Sequence, residues 1–238
     1  MADLAGLAGF LSVVQLSDSG LPTGRYTLSH GLEAFAHEGV LEAPCRPATL
    51  EGLLGDCVRL GVAPSDGVAL ACAHRAVAPD GTTDLELVVR ADERLSAVKL
   101  AREAREASIR TGRALLAAAA AITGGSLSEY SGLIDAGQAR GNHAVALGLI
   151  DALLGVPRLE AVAGELYAFS AGWVAAAVRL GLTDHQTAQS LLHHVRPVLA
   201  VAAGRAVVGD VAQISSCMPL PDVMAMRHEQ AELRLFAS

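Results

Sequence analysis

Apolar residues recur every three or four positions along nearly the whole chain, a period that predicts helices. Residues 4–16 place Leu4, Leu7, Leu11 and Val14 on one face. A loop follows over 17–24, where Pro22 blocks continuation and restricts Leu21 to extended geometry. Gly20 and Gly24 there can take positive φ. A second helix is predicted from about 27 to 38, with Gly39 placed to stop it. On it Leu28, Leu32 and Phe35 share one side, and His30, Glu33 and His37 share the other. Pro44 and Pro47 bracket a linker, helices are predicted over 50–60 and 66–77, and Pro79-Asp80-Gly81 reads as a turn. Residues 85–122 read as one long helix or two in line. Their charged middle offers Arg102–Glu106 and Glu106–Arg110 as i,i+4 pairs.

Gly124-Gly125 breaks the chain, and shorter helices are predicted over 127–136 and 143–154. Pro157 opens a helix to about 180, with Leu159, Val162, Leu166, Phe169, Trp173, Ala176 and Leu180 in three-four alternation. Ala161, Ala168, Gly172 and Ala175 line another side, as in a helix sandwiched between neighbours. Thr183 and Gln186 fit a capping box for the next helix, which runs toward 208 with a kink expected at Pro197. Pro219-Leu220-Pro221 is read as ending regular structure before a last amphipathic segment over 222–233. The one β-branched run, 85–89, is too short to outweigh its helical surroundings. The expected fold is all-α: a single domain over residues 1–238, a bundle of about ten helices.

Composition refines this picture. Of the 238 residues 52% are hydrophobic but only 3% aromatic, so the core must be Ala, Leu and Val, which suits close-packed helices. The net charge of −7 gives no footprint for nucleic acid. Cys45, Cys57, Cys72 and Cys217 form no C-x-x-C pair, which points to a reduced compartment. No basic-then-apolar leader is evident, and the longest apolar run, 114–122, is too short for a bilayer. The expectation is a soluble cytoplasmic protein with no membrane and no nucleic-acid partner.

Catalytic signatures are absent. The single lysine, Lys99, follows Val98 rather than glycine, so there is no P-loop. There is no G-x-S-x-G elbow, no H-E-x-x-H and no zinc spacing. His30, Glu33 and His37 are the best metal candidates, given further ligands from another helix. They keep two alternatives open, a metal-dependent helical enzyme and a nickel-binding carrier. The competing reading makes them a polar surface. His193 and His194 are adjacent and point about 100° apart, so they do not share an ion easily. His228 and Glu232, one turn apart, read as a surface link. Arg102, Glu103, Arg105 and Glu106 read as a solvated or partner-facing run rather than as acid/base catalysts. The terminal Leu235-Phe236 pair is apolar where chain ends are usually polar, which points to a partner surface.

These residues resemble a known family. Leu16-Ser17-Asp18-Ser19-Gly20-Leu21-Pro22-Thr23-Gly24 followed by Ser29-His30-Gly31-Leu32-Glu33 is similar to the N-terminal signature of the urease accessory protein UreF family. The charged stretch LAREAREASIRTGRALL resembles that family's mid-chain Arg/Glu helix. Asn142-His143-Ala144-Val145-Ala146-Leu147-Gly148 resembles its H-P-V-A-x-G segment, with Ala144 where proline is usual. His228-Glu229 and Arg234-Leu235-Phe236-Ala237-Ser238 resemble its H-E…R-L-F-x-S ending, with Ala237 where a basic residue is often found. The resemblance implies an all-α homodimer without chemistry of its own. Such a protein joins UreD (also called UreH) and the GTPase UreG on apo-urease and regulates UreG. No cofactor is held firmly, and nickel is handled by the assembled complex. Residues 219–238 would be a partner-docking tail. The partner-binding residues would then be Leu21, Pro22, Gly24, Arg102, Glu106, His228, Glu229, Arg234, Leu235, Phe236 and Ser238.

Overall fold

The computed structural model describes residues 4–229 together with 235 and 236. It is an all-α single-domain fold. The helices are α1 (Leu4–Ser17), α2 (Leu32–His37), α3 (Pro47–Asp56), α4 (Val68–Arg75), α5 (Leu85–Val98), α6 (Arg102–Thr123), α7 (Ser128–Asp135), α8 (His143–Leu153), α9 (Arg158–Arg179), α10 (His185–Ala206) and α11 (Pro219–His228). Among the described residues the only β pairing is an isolated bridge between Val77 and Thr83.

Helix α8 is the axle of the bundle, buried from His143 through Asp151, with α4, α6 and α9 packed around it. Glycine makes these approaches close. A Cβ on Gly148 would run into the Leu70 carbonyl of α4 and stand 3.1 Å from the Ala73 Cβ. A Cβ on Gly112 of α6 would overlap the Gly141–His143 backbone. An aromatic-poor core is thus filled by bringing helix backbones together, with Trp173 and Tyr130 as its largest buried side chains.

One buried acid fixes the turn before α8. Asp92 of α5 accepts the N–H groups of Arg140 (2.6 Å), Gly141 (2.9 Å) and Asn142 (2.9 Å), and the Asn142 amide at 2.6 Å. A carboxylate meeting this many donors is satisfied without water.

Helix α9 is the one helix among the described residues long and apolar enough to cross a membrane, and 61% of its most apolar stretch is buried inside the fold. Its expected stripe is largely core: Val162, Leu166, Phe169, Trp173 and Ala176 are buried, while Leu159 is exposed.

Several predicted boundaries are corrected. The second helix begins at Leu32, not at 27, because His30 (φ 52°) and Gly31 (φ 84°) are both left-handed; only a 3-10 turn, Arg25–Thr27, precedes them. Residues 50–60 and 66–77 are not separate helices. A π-helical stretch, Cys57–Gly67, joins α3 to α4 through Pro64. Pro64 has no N–H to give this ladder, and the stretch is tied from outside, the Cys217 N–H donating to the Leu60 carbonyl at 2.9 Å and the Ser215 N–H to the Pro64 carbonyl at 3.0 Å. For residues 85–122, expected as one helix or two in line, the structure has two, divided at Lys99–Ala101, where Arg105 donates to the carbonyls of Lys99 and Leu100, both at 2.6 Å. The α10 N-cap is Asp184 rather than Thr183, its carboxylate accepting the Thr187 N–H at 2.8 Å. Pro219 starts a helix instead of ending structure, as proline's fixed φ allows in a first turn. Finally, α1 turns Leu4, Leu7, Leu11 and Val14 outward. It packs on α9 through Val13 and Ser17 against Gly164, and on the Gly155–Pro157 turn before α9 through Gly9, with Leu16 buried in the core.

Candidate functional site: the N-terminal loop meets the C-terminal segment

The loop between α1 and α2 is shaped by local conformations that few sequences allow. Gly24 (φ 79°) launches the 3-10 turn, and the His30-Gly31 pair reverses the chain into α2. Gly31 lies against the start of α11, where a Cβ would meet the Pro221 carbonyl at 3.7 Å. Short α2 therefore begins beside the C-terminal helix, to which it packs.

Glu33, in the first turn of α2, is fully buried. Its Oε2 lies 2.8 Å from His228 Nε2. On the other side of the ring, His228 Nδ1 lies 2.8 Å from Oε2 of Glu103, on α6. Neutral imidazole has one N–H, yet both ring nitrogens face carboxylate oxygens at bonding distance. Glu33 does more: it accepts the backbone N–H of Leu235 at 2.6 Å and of Phe236 at 3.1 Å. One buried carboxylate thus ties α2, α11 and the C-terminal segment together. Phe236 is buried (7% exposed) and Leu235 stands out at 78%. The Arg179 guanidinium, at the end of α9, lies 4.2 Å from the Tyr26 ring centroid and 4.4 Å from that of Phe236. Loop, α9 and tail meet there through cation–π contacts.

Behind the loop is a cavity of about 200 Å³, more apolar than polar in its lining, which Arg25, His30, Asp66, Lys99, His143 and Glu165 also reach. Arg25 forks onto Glu165 (2.7 and 3.0 Å) and donates to His143 Nε2 at 3.0 Å. That contact makes Nε2 the acceptor and puts the His143 proton on Nδ1. Lys99 pairs with Asp66 at 2.8 Å. Burial, then the Arg25 charge, hold His143 well below the ordinary histidine range. The same two causes, in the same order, bring His30 down to about 3. Burial raises Glu165 despite Arg25. Burial and the neighbouring Glu165 push Asp151 up to about 8. The cavity thus combines two paired cations with two uncharged imidazoles.

The predicted site residues divide accordingly. Leu21, Pro22 and Gly24 lie in the loop, half-buried, exposed and exposed in turn. Arg102 and Glu106 are on the exposed side of α6, but Arg102 approaches Glu229 (3.6 Å) across to α11's end rather than Glu106. His228 is no surface residue: it is buried between Glu33 and Glu103, and its predicted link to Glu232 falls on a residue outside those described. Glu229 is largely covered and accepts the Glu103 N–H at 3.2 Å. Arg234 and Ser238 lie outside the described residues. His30, Glu33 and His37 do not converge: His30 packs edge-on against Phe169, Glu33 is engaged as above, and His37 is exposed. Among the described residues no group of three or more His, Cys, Asp or Glu side chains is poised around a metal. Sequence reasoning missed Tyr26, Arg179, Glu165 and the role of Glu103. Arg25 and Tyr26 stood between the two halves of the signature, and that position was the available signal.

Comparison with known proteins agrees with this architecture. Residues 45–196 match the UreF family model. The urease accessory protein UreF of Yersinia pseudotuberculosis serotype IB (strain PB1/+) is 30% identical over 229 residues, covering 96% of this chain and 97% of that protein. The protein of the same name from Trichodesmium erythraeum (strain IMS101) is 32% identical over 232 residues, 96% of each. With the family model spanning most of the chain and full-length relatives at both ends of it, the chain belongs to the UreF family of urease accessory proteins.

Proposed function

We propose that the chain is a non-catalytic adaptor of urease maturation. It acts in the cytoplasm as a homodimer, joins UreD/UreH and the GTPase UreG on apo-urease, and regulates UreG while nickel passes to the enzyme as cargo of the assembled complex. The observation that carries this reading is the tail. Glu33 fixes the backbone of Leu235 and Phe236, so Phe236 anchors inward while Leu235 is presented to solvent. An apolar side chain displayed on a pinned backbone suits docking into a partner, since its ordering cost is already met. Family membership supports the same role.

The test is co-purification with UreD/UreH and UreG homologues, using the full chain and a variant lacking residues 234–238. Capture of UreD/UreH by the full chain, lost in the truncated but folded variant, is the expected result. Failure of the full chain to capture either partner, with normal nickel loading of urease in a strain lacking it, would overturn the reading.

A further inference from the structure

Helix α1 carries a second surface that the tail does not explain. Leu4, Leu7, Phe10, Leu11 and Val14 are each between 49% and 72% exposed. At about 100° per residue they fall within an arc of roughly 120°. That arc lies opposite Gly9, Val13 and Leu16, the positions turned toward the bundle. The helix LAGLAGFLSVVQLS contains no charged residue. It is therefore apolar on both sides, one side spent on its own bundle and the other unmatched.

We propose that this outer face is the self-association surface of the chain, packing against the same face of a second copy. Area favours this occupant. Five large apolar side chains at about half exposure present on the order of 500 Å², already at the upper end for a monomer's largest apolar patch. Two copies facing each other cover about 1,000 Å², the size at which an interface becomes specific. Chemistry favours it too: an uncharged stripe offers a charged partner nothing, while an isologous contact needs only a surface complementary to itself. Ala8 and Gly6 sit at the stripe's margins, exposed, and leave room for the partner's leucines. A surface-lying membrane helix would carry Lys or Arg along its polar margin, and α1 has none.

The inference rests on the homodimer expected above and gives it a location. The experiment is sedimentation equilibrium of the full chain and of Leu7→Asp and Leu11→Asp, with circular dichroism to establish folding. The wild type should dimerise, and each folded variant should weaken the dimer at least about tenfold. Leu11→Gln, nearly isosteric and on an exposed position, provides the reading if an aspartate variant does not fold. A monomeric wild type, or an unchanged dimer in folded variants, overturns the proposal. Partner capture separates the two ideas. Variants that stay dimeric but lose UreD/UreH assign α1 to that partner and sink self-association alone. A dimer broken by the variants, in a chain that never captures UreD/UreH, upholds the interface and removes the adaptor reading.

Discussion

Helix α9 holds both ends of the chain, in opposite ways. Along its first turns it carries α1 by close contact of small groups, with Gly164 opposite Val13 and Ser17. At its last residue Arg179 stacks on Phe236, while Glu33, itself bonded to His228 in a buried polar cluster, fixes the tail's backbone. The apolar seam has no preferred partner chemistry and leaves an equal apolar face outside. The polar cluster is directional and exacting, and every member must be satisfied together. An end held by dispersion can be located by whatever covers its other side. An end held by a buried carboxylate is placed by the chain itself.

The contrast breaks most severely at Glu33. Glu33→Ala strands His228 and two backbone amides in the interior and should cost about 3–5 kcal/mol. Hydrogen exchange should show the Leu235 and Phe236 amides released before the α4–α8 core, whereas tail amides that remain as protected as the wild type's would refute their dependence on Glu33. Next is the middle of α9, where Asp151 faces Glu165. An acid whose folded pKa is raised, here to about 8, binds a proton that the unfolded chain has already released. Stability therefore declines as pH rises from about 4 toward 8. The depressed His30 and His143 act oppositely below about 6.5, where the unfolded chain gains protons that the fold refuses. Between pH 6.5 and 8 only the Asp151 decline remains of these, about 2 kcal/mol at most. Thermal melts of Asp151→Asn should be flat in that window; a slope equal to the wild type's would place the proton elsewhere.

The α1 seam is sharpened by Gly164→Val. Even the first added carbon would lie 2.8 Å from Val13 Cγ1, so α1 must shift, at about 1–3 kcal/mol. Proteolysis should then cut near residue 18 without loosening the tail, and coupled release of both ends would erase the distinction. The smallest effect is expected at Arg179→Gln, which removes the cation from both rings for about 1 kcal/mol. It should raise exchange at Phe236 only.

Helix positions in the middle of the chain were legible because one face alternates cleanly with another, as in α9, or because Gly124-Gly125 leaves no choice. The errors came where that contrast fails. In α1 both faces are apolar, so periodicity found a stripe but not which side was inside. Around Pro64 the two predicted helices leave a gap, while in the structure the winding widens to a π-helix, tied from outside at Leu60 and Pro64, and continues. The site was half legible. The signature loop and the tail were both recognisable, but not that they touch. Glu33 and His228 are 195 residues apart, and no local spacing reports a contact of that range. His30, Glu33 and His37 looked like a set only because the helix was started five residues early.

Pro64 also has a consequence for the far end of the chain. The Leu60 carbonyl accepts the Cys217 N–H at 2.9 Å, and the Pro64 carbonyl accepts the Ser215 N–H at 3.0 Å. The segment leading into α11 is thus moored to the π-helical stretch between α3 and α4. Pro64→Ala would let that stretch tighten toward i→i+4 bonding, in which residue 64 gives Leu60 a partner of its own and competes with the mooring. A proline near the start of the chain therefore serves as the address to which the last helix is delivered, and a change there would be felt at the tail before it was felt in the core.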